Sequence, residues 1–192
     1  MFLLRKPNEN TVRRFITKQK STQFSYSDRG LSRSGIAPHG YVLDHNRVQL
    51  GTGPETFRRA RRAIQEWKMF AMPWLQLCWP DAPISANTNV AILISHFGFW
   101  SLNAARIVYL VEDHGSCEKY GFAYGTLPEH GESGEERFTV EFHSADESVW
   151  YDLFAFSRPN TAARIAYPLT RSLQRRFAAD SKLAMKRAVE MV

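Results

Sequence analysis

Hydrophobic and polar residues alternate most clearly over residues 119–126, 135–143 and 148–157, three segments separated by short turns rich in Gly, Pro and Asp. A period of two is typical of a β-strand with one buried face. Residues 40–50, 89–97 and 104–112 also carry strand-like patterns. The later links are too short for crossover helices, so the pattern predicts an antiparallel meander.

Helical spacing replaces this alternation in three places. Asn8 or Asn10 is a candidate cap for a short amphipathic helix that runs to Lys20. Residues 54–67 begin with Pro54 and repeat apolar residues at helical spacing. From residue 160 onward a third stripe predicts a long helix, and it consists of Ile165, Leu169, Leu173, Phe177, Ala184 and Ala188. Residues 21–37 are predicted to be an extended loop, and residues 69–83 a connector interrupted by prolines.

The long C-terminal helix must bury its apolar stripe, and the concave face of a curled sheet is the available partner. The sequence therefore predicts an α+β fold in which a curved antiparallel sheet grips a long C-terminal helix, with an added N-terminal helix. With 192 residues, the chain is expected to form one domain over residues 1–192. The N-terminal helix and loop occupy residues 1–36 of it, and the helix-grip core occupies residues 37–192.

Several motifs occur in order along nearly the whole chain, from about residue 24 to residue 188. They are Gly40-Tyr-Val-Leu-Asp-His45, Leu50-Gly-Thr-Gly53, Trp67-Lys-Met-Phe70, Tyr124-Gly-Thr-Leu-Pro-Glu-His130, Gly134-Glu-Glu-Arg-Phe138, Phe156-Ser-Arg-Pro159 and Gln174-Arg-Arg-Phe177. In these motifs the chain resembles the bacterial and plant domain of unknown function 1990 family. The resemblance implies a fold similar to the Bet v 1 or START helix-grip superfamily, which holds apolar ligands in an internal cavity. It implies no catalytic residues.

Aromatic residues on the last three predicted strands are the candidate wall of such a cavity: Tyr120, Phe122, Tyr124, Phe138, Phe142, Trp150, Phe154 and Phe156. The expected ligand is a small apolar or amphipathic molecule held between the sheet and the C-terminal helix. The alternative is a filled core, because any packed sheet shows aromatic alternation.

Two acidic residues interrupt these apolar patterns. Glu136 shares a predicted strand face with Phe138, so it is expected to point into the cavity, where a carboxylate needs a partner such as Arg158 or Arg106, or acquires a raised pKa. Asp152 alternates with Phe154 and is either a pocket group or an anchor for the C-terminal helix.

Arg158 ends the same predicted face as Asp152, where its guanidinium is placed to bind a carboxylate or phosphate or to hold the strand–helix corner. An alternative function follows: an acid–base enzyme in which Glu136 and Asp152 transfer protons and Arg158 stabilises charge. Arg137 falls on the opposite face from Glu136 and is predicted to be exposed, with an ion pair contributing under about 1 kcal/mol.

The net charge of +6 is unevenly distributed, because both ends of the chain are basic and residues 112–152 hold eleven acids. An anionic membrane surface is therefore one candidate partner of the basic helices. A protein with this partner, or a scaffold protein with a filled core, is a further alternative for the function. No nucleic-acid-binding motif is present, so nucleic acid is not an expected partner.

Other function classes lack their motifs. The six histidines show neither HxH nor HExxH spacing, and His130 reads as a surface residue. Cys78 and Cys117 form no CxxC pair, so neither a metal site nor a disulfide is predicted. Two unpaired cysteines favour a reducing, cytoplasmic setting. No dinucleotide or phosphate-loop motif occurs, so no cofactor is predicted. No apolar run reaches the roughly 20 residues of a membrane span.

Overall fold

A computed structural model describes residues 1–79, 81–96, 98–159 and 167–190, with side chains described for all of these except 167–169. Within these ranges the strands are β1 Phe2–Leu3, β2 Val42–Thr52, β3 Leu75–Cys78, β4 Asn89–Ser95, β5 Trp100–His114, β6 Cys117–Thr126, β7 Glu132–His143 and β8 Ser148–Pro159. The α-helices are α1 Glu9–Gln19, α2 Gly53–Gln65 and α3 Tyr167–Glu190. Two short 3-10 helices span Leu31–Ser34 and Lys68–Phe70.

The described strands form one antiparallel sheet in the order β2-β8-β7-β6-β5-β4-β3. β1 pairs with the first residues of β5, on the edge where β6 has already ended. Phe138 of β7 lies opposite Phe122 of β6 and Leu153 of β8, so these three side chains share the concave face. The curled sheet and the C-terminal helix confirm the predicted helix-grip α+β fold.

Helix α2 fills one half of the concave face. Pro54 stands in its first turn, where the missing N–H costs no hydrogen bond. Phe57, Ala60 and Ile64 are buried against the sheet, as their spacing predicts. The ring of Trp67, just after the helix, packs 4.8 Å from that of Phe122. This half of the sheet is therefore a packed core.

Helix α3 crosses the remaining half of the concave face. Ala178, Ser181, Ala184, Met185 and Val189 form its buried stripe, a set that overlaps the predicted one. A 2.8 Å hydrogen bond joins the Ser181 hydroxyl to the hydroxyl of Tyr151 on β8. Ile165 and the side chain of Leu169, which belong to the predicted stripe, lie outside the described residues.

The N-terminal part of the chain covers the convex face. Helix α1 begins after Asn8, whose side chain accepts the backbone N–H of Thr11, as predicted. Its buried residues Phe15 and Ile16 pack in a cluster with Leu102 of β5. No helix in the described part of the chain is long and apolar enough to cross a membrane.

Residues 21–37 lie across β6, β7 and β8 and are fixed there by a buried carboxylate. Glu135 accepts hydrogen bonds from the Tyr26 hydroxyl at 2.6 Å, from the backbone N–H of Gly30 at 2.8 Å and from both the backbone N–H and the hydroxyl of Ser32. A Cβ at Gly125 would lie 2.2 Å from the Tyr26 hydroxyl, so glycine is needed for this close approach. The polar convex side of β7 is therefore covered by protein, not by water.

Two strands were not predicted. β3 lies inside the segment predicted as a proline-interrupted connector, and β1 lies at the chain start. Both are short edge segments with little alternation of their own. Their hydrogen bonds come from pairing with β4 and β5.

Candidate functional site

A cavity of about 580 Å³ lies between the sheet and the first part of α3. It extends from β2 and β8 on one side to β3 and β4 on the other. Its apolar wall includes Phe70, Leu75, Ile92, Ile94, Leu153, Leu173 and Phe177. The concave face is thus divided, with a filled core under α2 and an open space under the first half of α3.

Glu136 supplies a carboxyl group on the wall of this cavity. One of its oxygens accepts a 2.7 Å hydrogen bond from the Tyr124 hydroxyl. Burial raises the pKa of Glu136 to about 8, and the nearby Glu132 and Asp44 carboxylates act in the same direction. Arg158 and Arg106, the partners considered from sequence, contact other groups: the ring of Tyr41 and the oxygens of Asn89, Thr22 and Gln19. Glu136 is therefore largely uncharged at neutral pH.

A second carboxyl group, that of Glu132, stands four residues earlier on the same face of β7. The Gln174 side chain donates hydrogen bonds to Glu132 and, at 2.8 Å, to the Ser157 hydroxyl. Burial raises the pKa of Glu132 to about 7, although the Gln174 hydrogen bond and the Arg171 charge oppose the shift. Glu132 and Glu136 together form the acidic pair of the cavity.

Two further polar groups complete this end of the cavity. Arg171 of α3 donates to both carboxylate oxygens of Asp44 on β2, at 2.5 and 2.8 Å. His130 precedes β7, and its Nδ1 accepts the backbone N–H of Glu132 at 3.0 Å. Burial lowers the pKa of His130 to about 4, so it is neutral at pH 7. The prediction that His130 is a surface residue is wrong, since it borders the cavity.

The predicted wall residues on β6 and β7 divide into two groups. Tyr124 and Glu136 border the cavity. Four others belong to the concave side but pack in the filled half: Tyr120, Phe122, Phe138 and Phe142.

The predicted orientation of β8 is wrong. Leu153, not Asp152 or Phe154, lies opposite Phe138 and shares its concave face. Asp152, Phe154, Phe156 and Arg158 consequently point toward the convex side, where the ring of Phe156 packs 5.9 Å from Tyr26 and 5.4 Å from Tyr41. Of these four, Phe156 also borders the cavity. β8 is apolar on both faces because the N-terminal segment covers its outer side, so alternation did not identify the inner one.

Asp152 takes part in a buried charge cluster on the convex side. It accepts a 2.8 Å hydrogen bond from Arg137, and its second carboxylate oxygen lies 2.5 Å from Nε2 of His45. The predicted anchoring of α3 by Asp152 is therefore wrong, and Asp44 anchors Arg171 instead. The proton-transfer set of Glu136, Asp152 and Arg158 is not assembled, because the sheet separates Glu136 from the other two.

Sequence reasoning missed Glu132, Gln174 and Asp44. The start of β7 was predicted at residue 135, so Glu132 was assigned to a loop. The available signal was its spacing, since Glu132 and Glu136 are four residues apart and share a strand face if the strand begins earlier. Gln174 and Asp44 gave no comparable signal, because their roles depend on the position of α3 relative to β2.

Cys117, Glu141 and His143 form a possible metal-ligating group on the convex side, with ligand atoms within 4.8 Å of one another. Arg47 donates to Glu141 and to His143 Nε2, and Lys119 donates to Glu141 at 2.8 Å. These cationic groups use the lone pairs that a metal would need, so the cluster is assigned no metal.

The basic stripe of α2 is largely paired within the protein. Arg58 pairs with Glu55, Arg62 with Glu66, and Arg61 with Glu112 and Glu118. Binding of these helices to an anionic membrane stays a prediction.

The architecture first defines the class: a curled antiparallel sheet with a C-terminal helix across its concave face is a helix-grip α+β protein. The solved structure of Ara h 8.0201 is similar, with a TM-score of 0.52 over 80% of this chain and 100% of that chain. The two sequences are 11% identical, so this likeness shows the fold alone.

The chain belongs to the family described as "Domain of unknown function (DUF1990)", which matches residues 25–184. A UPF0548 protein of Dictyostelium discoideum is 34% identical over 208 residues, covering 98% of this chain and 96% of that protein. A UPF0548 protein of Deinococcus radiodurans is 37% identical over 190 residues, covering 93% of each. These matches confirm the family resemblance drawn from the sequence motifs.

The raised pKa of Glu136 predicts a pH-dependent stability. The ordinary glutamate value is 4.5, and the folded value is about 8, so between these values the folded state binds more protons than the unfolded state. The free energy of unfolding therefore falls as pH rises through this window. Glu136→Gln keeps an acceptor for Tyr124 and removes this loss, so we expect it to stabilise the protein by about 2–3 kcal/mol at high pH and little at low pH.

Urea unfolding of both proteins at pH values on either side of this window measures the effect. Glu112→Gln is the matched control, because that side chain is 57% exposed and the change in charge is the same. Parallel stability–pH curves for wild type and Glu136→Gln would contradict the assignment of a protonated, buried Glu136.

Proposed function

We propose that this protein binds a small amphipathic molecule in the cavity between the sheet and α3. The observation that carries the proposal is an apolar cavity of about 580 Å³ with the carboxyl group of Glu136 on its wall. Ligand sites in proteins commonly measure about 300–1,000 Å³ and combine apolar walls with a few placed polar groups. A ligand with an apolar body and one polar end matches both properties.

The apolar body is assigned to the part of the cavity bounded by β3, β4 and α3. Ile92 and Ile94 on β4 and Phe177 on α3 border this part. Burying an apolar ligand there contributes about 25 cal/mol for each Å² of surface removed from water. The filled half of the concave face, under α2, supports the open half and limits the length of the ligand.

The polar end of the ligand is assigned to Glu136 and Glu132. Each of these side chains has one carboxyl oxygen that receives no hydrogen bond from the described residues, while the other is bonded to Tyr124 or Gln174. A ligand that fills the cavity buries these oxygens, which is costly unless the ligand also pairs with them. A ligand group that pairs with these oxygens therefore gains affinity and orientation together.

A cavity-filling substitution tests the proposal. Ile94→Trp places a larger side chain in the apolar part of the cavity, and Ala155→Phe does so from β8 on the opposite wall. With the neutral fluorescent probe N-phenylnaphthylamine, we expect wild type to enhance its emission and each variant to bind it at least about tenfold more weakly. Leu110→Trp is the matched control, because Leu110 is 44% exposed and does not border the cavity.

Circular dichroism and thermal unfolding establish that each variant is folded before its binding is measured. Absence of probe binding by wild type, or equal binding by wild type and both filled variants, would contradict the proposal. Native mass spectrometry of the purified wild type adds an independent readout, since a co-purifying small molecule should be absent from Ile94→Trp.

A further inference from the structure

The charges around the acidic pair of the cavity do not balance. The titratable and charged groups around the acidic pair come from several elements: Tyr124 from β6, His130 before β7, Glu132 from β7, Tyr151 from β8, Asp44 from β2, and Arg171 and Arg175 from α3. Two of these seven side chains, Glu132 and Asp44, are acids, and like Glu136 itself they need a charge partner or a proton in a site shielded from water, whereas the tyrosines remain neutral.

The positive charges at this end are used elsewhere. The Arg171 guanidinium is bidentate to Asp44 and also donates to Gln174. Arg175 is exposed, and His130 is neutral because its pKa is about 4. Among the described residues, no Lys, Arg or His side chain forms an ion pair with Glu132 or Glu136. Within the described part of the chain, the acidic pair therefore has no ion-pair partner, and the Arg171 charge that favours ionised Glu132 is already paired with Asp44.

Aromatic rings stand beside the same acids. Tyr124 donates to Glu136, and its ring lies 6.1 Å from that of Phe70. The ring of Phe70 lies in turn 5.5 Å from that of Phe177 on α3. All three residues border the cavity. Aromatic faces next to carboxylates are a favourable surrounding for an organic cation, because the ring quadrupole attracts positive charge.

We infer that the ligand of this cavity is an amphipathic amine, whose protonated nitrogen pairs with Glu136 and Glu132 while its apolar body occupies the space between β3, β4 and α3. This inference rests on the proposed binding function and specifies its ligand class. An amine supplies the ion-pair partner that these acids do not find among the described residues, together with hydrogen-bond donors for the two free carboxyl oxygens. A carboxylate ligand would instead add a third negative charge at that end of the cavity.

Competition among three probes with the same body tests the inference. Phenylbutylamine, phenylbutanol and phenylbutyrate share an aromatic ring and an alkyl chain and differ only in the head group. Each is titrated against N-phenylnaphthylamine bound to the intact protein. At about pH 8 we expect the amine to displace the probe at a concentration at least about tenfold lower than the alcohol, with the carboxylate weakest.

The pH dependence distinguishes ion pairing from other contacts. Glu132 and Glu136 have pKa values of about 7 and about 8, so binding of a cation releases their protons. The affinity for the amine should rise from about pH 6 to about pH 8.5. A neutral ligand that accepts a hydrogen bond from protonated Glu136 shows the opposite trend and weakens above about pH 8.

Glu136→Gln removes the charge without changing the shape of the side chain. We expect it to reduce both the preference for phenylbutylamine over phenylbutanol and the rise in affinity with pH, since Glu132 alone then supports them, while N-phenylnaphthylamine still binds. Glu112→Gln, with the same change in charge on an exposed residue, should leave the preference unchanged. Glu132→Gln is a second variant for the case in which Glu136→Gln does not fold. It too is expected to reduce the preference for the amine over the alcohol.

The two proposals fail in different ways. If the fluorescent probe does not bind wild type, both fail. If it binds and is displaced by the alcohol as readily as by the amine, or if Glu136→Gln and Glu132→Gln keep the amine preference, the amine assignment is overturned and the binding function stands.

Discussion

Phe138→Ala is expected to lower the free energy of unfolding by about 3–5 kcal/mol. The Phe138 side chain has no exposed surface, and its ring lies 5.2–5.4 Å from those of Phe70, Phe122 and Tyr124. It also contacts Phe177 of α3 at 6.4 Å. Truncation therefore removes buried apolar surface and leaves a cavity that these surrounding rings fill only in part.

Urea unfolding of purified variants measures this loss. Phe2→Ala is the matched control, because the chemical change is the same and Phe2 is 65% exposed; a loss under about 1 kcal/mol is expected there. Similar losses in the two variants would mean that Phe138 is not the central residue of the core. Since Phe138 and Glu136 share one face of β7, that result would also remove the support for Glu136 in the cavity.

Arg137→Ala is expected to cost about 3 kcal/mol or more, although the sequence predicted a loss under about 1 kcal/mol. The Arg137 side chain is 16% exposed, and its partner Asp152 is 5% exposed. The guanidinium also donates to the carbonyl oxygens of Ser32 and Arg33, at 2.7 and 3.3 Å. Its removal leaves the buried carboxylate of Asp152 without its main partner and releases one attachment of residues 21–37.

Two comparisons separate these effects. Arg13→Ala breaks an exposed ion pair with Glu9 within α1, and it should cost only a few tenths of a kcal/mol. The double variant Arg137→Ala/Asp152→Asn should recover part of the stability, because the unpaired charge is gone. Faster proteolysis within residues 21–37 in Arg137→Ala would report the released attachment. A small loss, equal to that of Arg13→Ala, would contradict the buried pair.

The sequence alone determined the elements with strong periodicity. Alternation identified β7 and placed Glu136 and Phe138 on its buried face, as the pairing with β6 and β8 confirms. Apolar spacing and the position of Pro54 identified α2. These signals are local, because a strand or helix with one buried face repeats apolar residues at a period set by its own backbone.

Other features depended on segments that are distant in sequence. Alternation on β8 did not reveal its inner face, because residues 21–37 bury the outer one and both faces became apolar. The exposure of Arg137 was predicted wrongly for the same reason: a polar residue on a covered face is indistinguishable, in sequence, from one in water.

Only the tertiary structure decided which part of the concave face is open. Helix α2 fills one half of the concave face, and the position of α3 leaves a cavity between its first half and the other half of the sheet. The same packing brings Gln174 of α3 to Glu132 of β7, across 42 residues of chain. Periodicity states which residues of one element share a face, whereas the contents of the space beyond that face depend on how whole elements pack against one another.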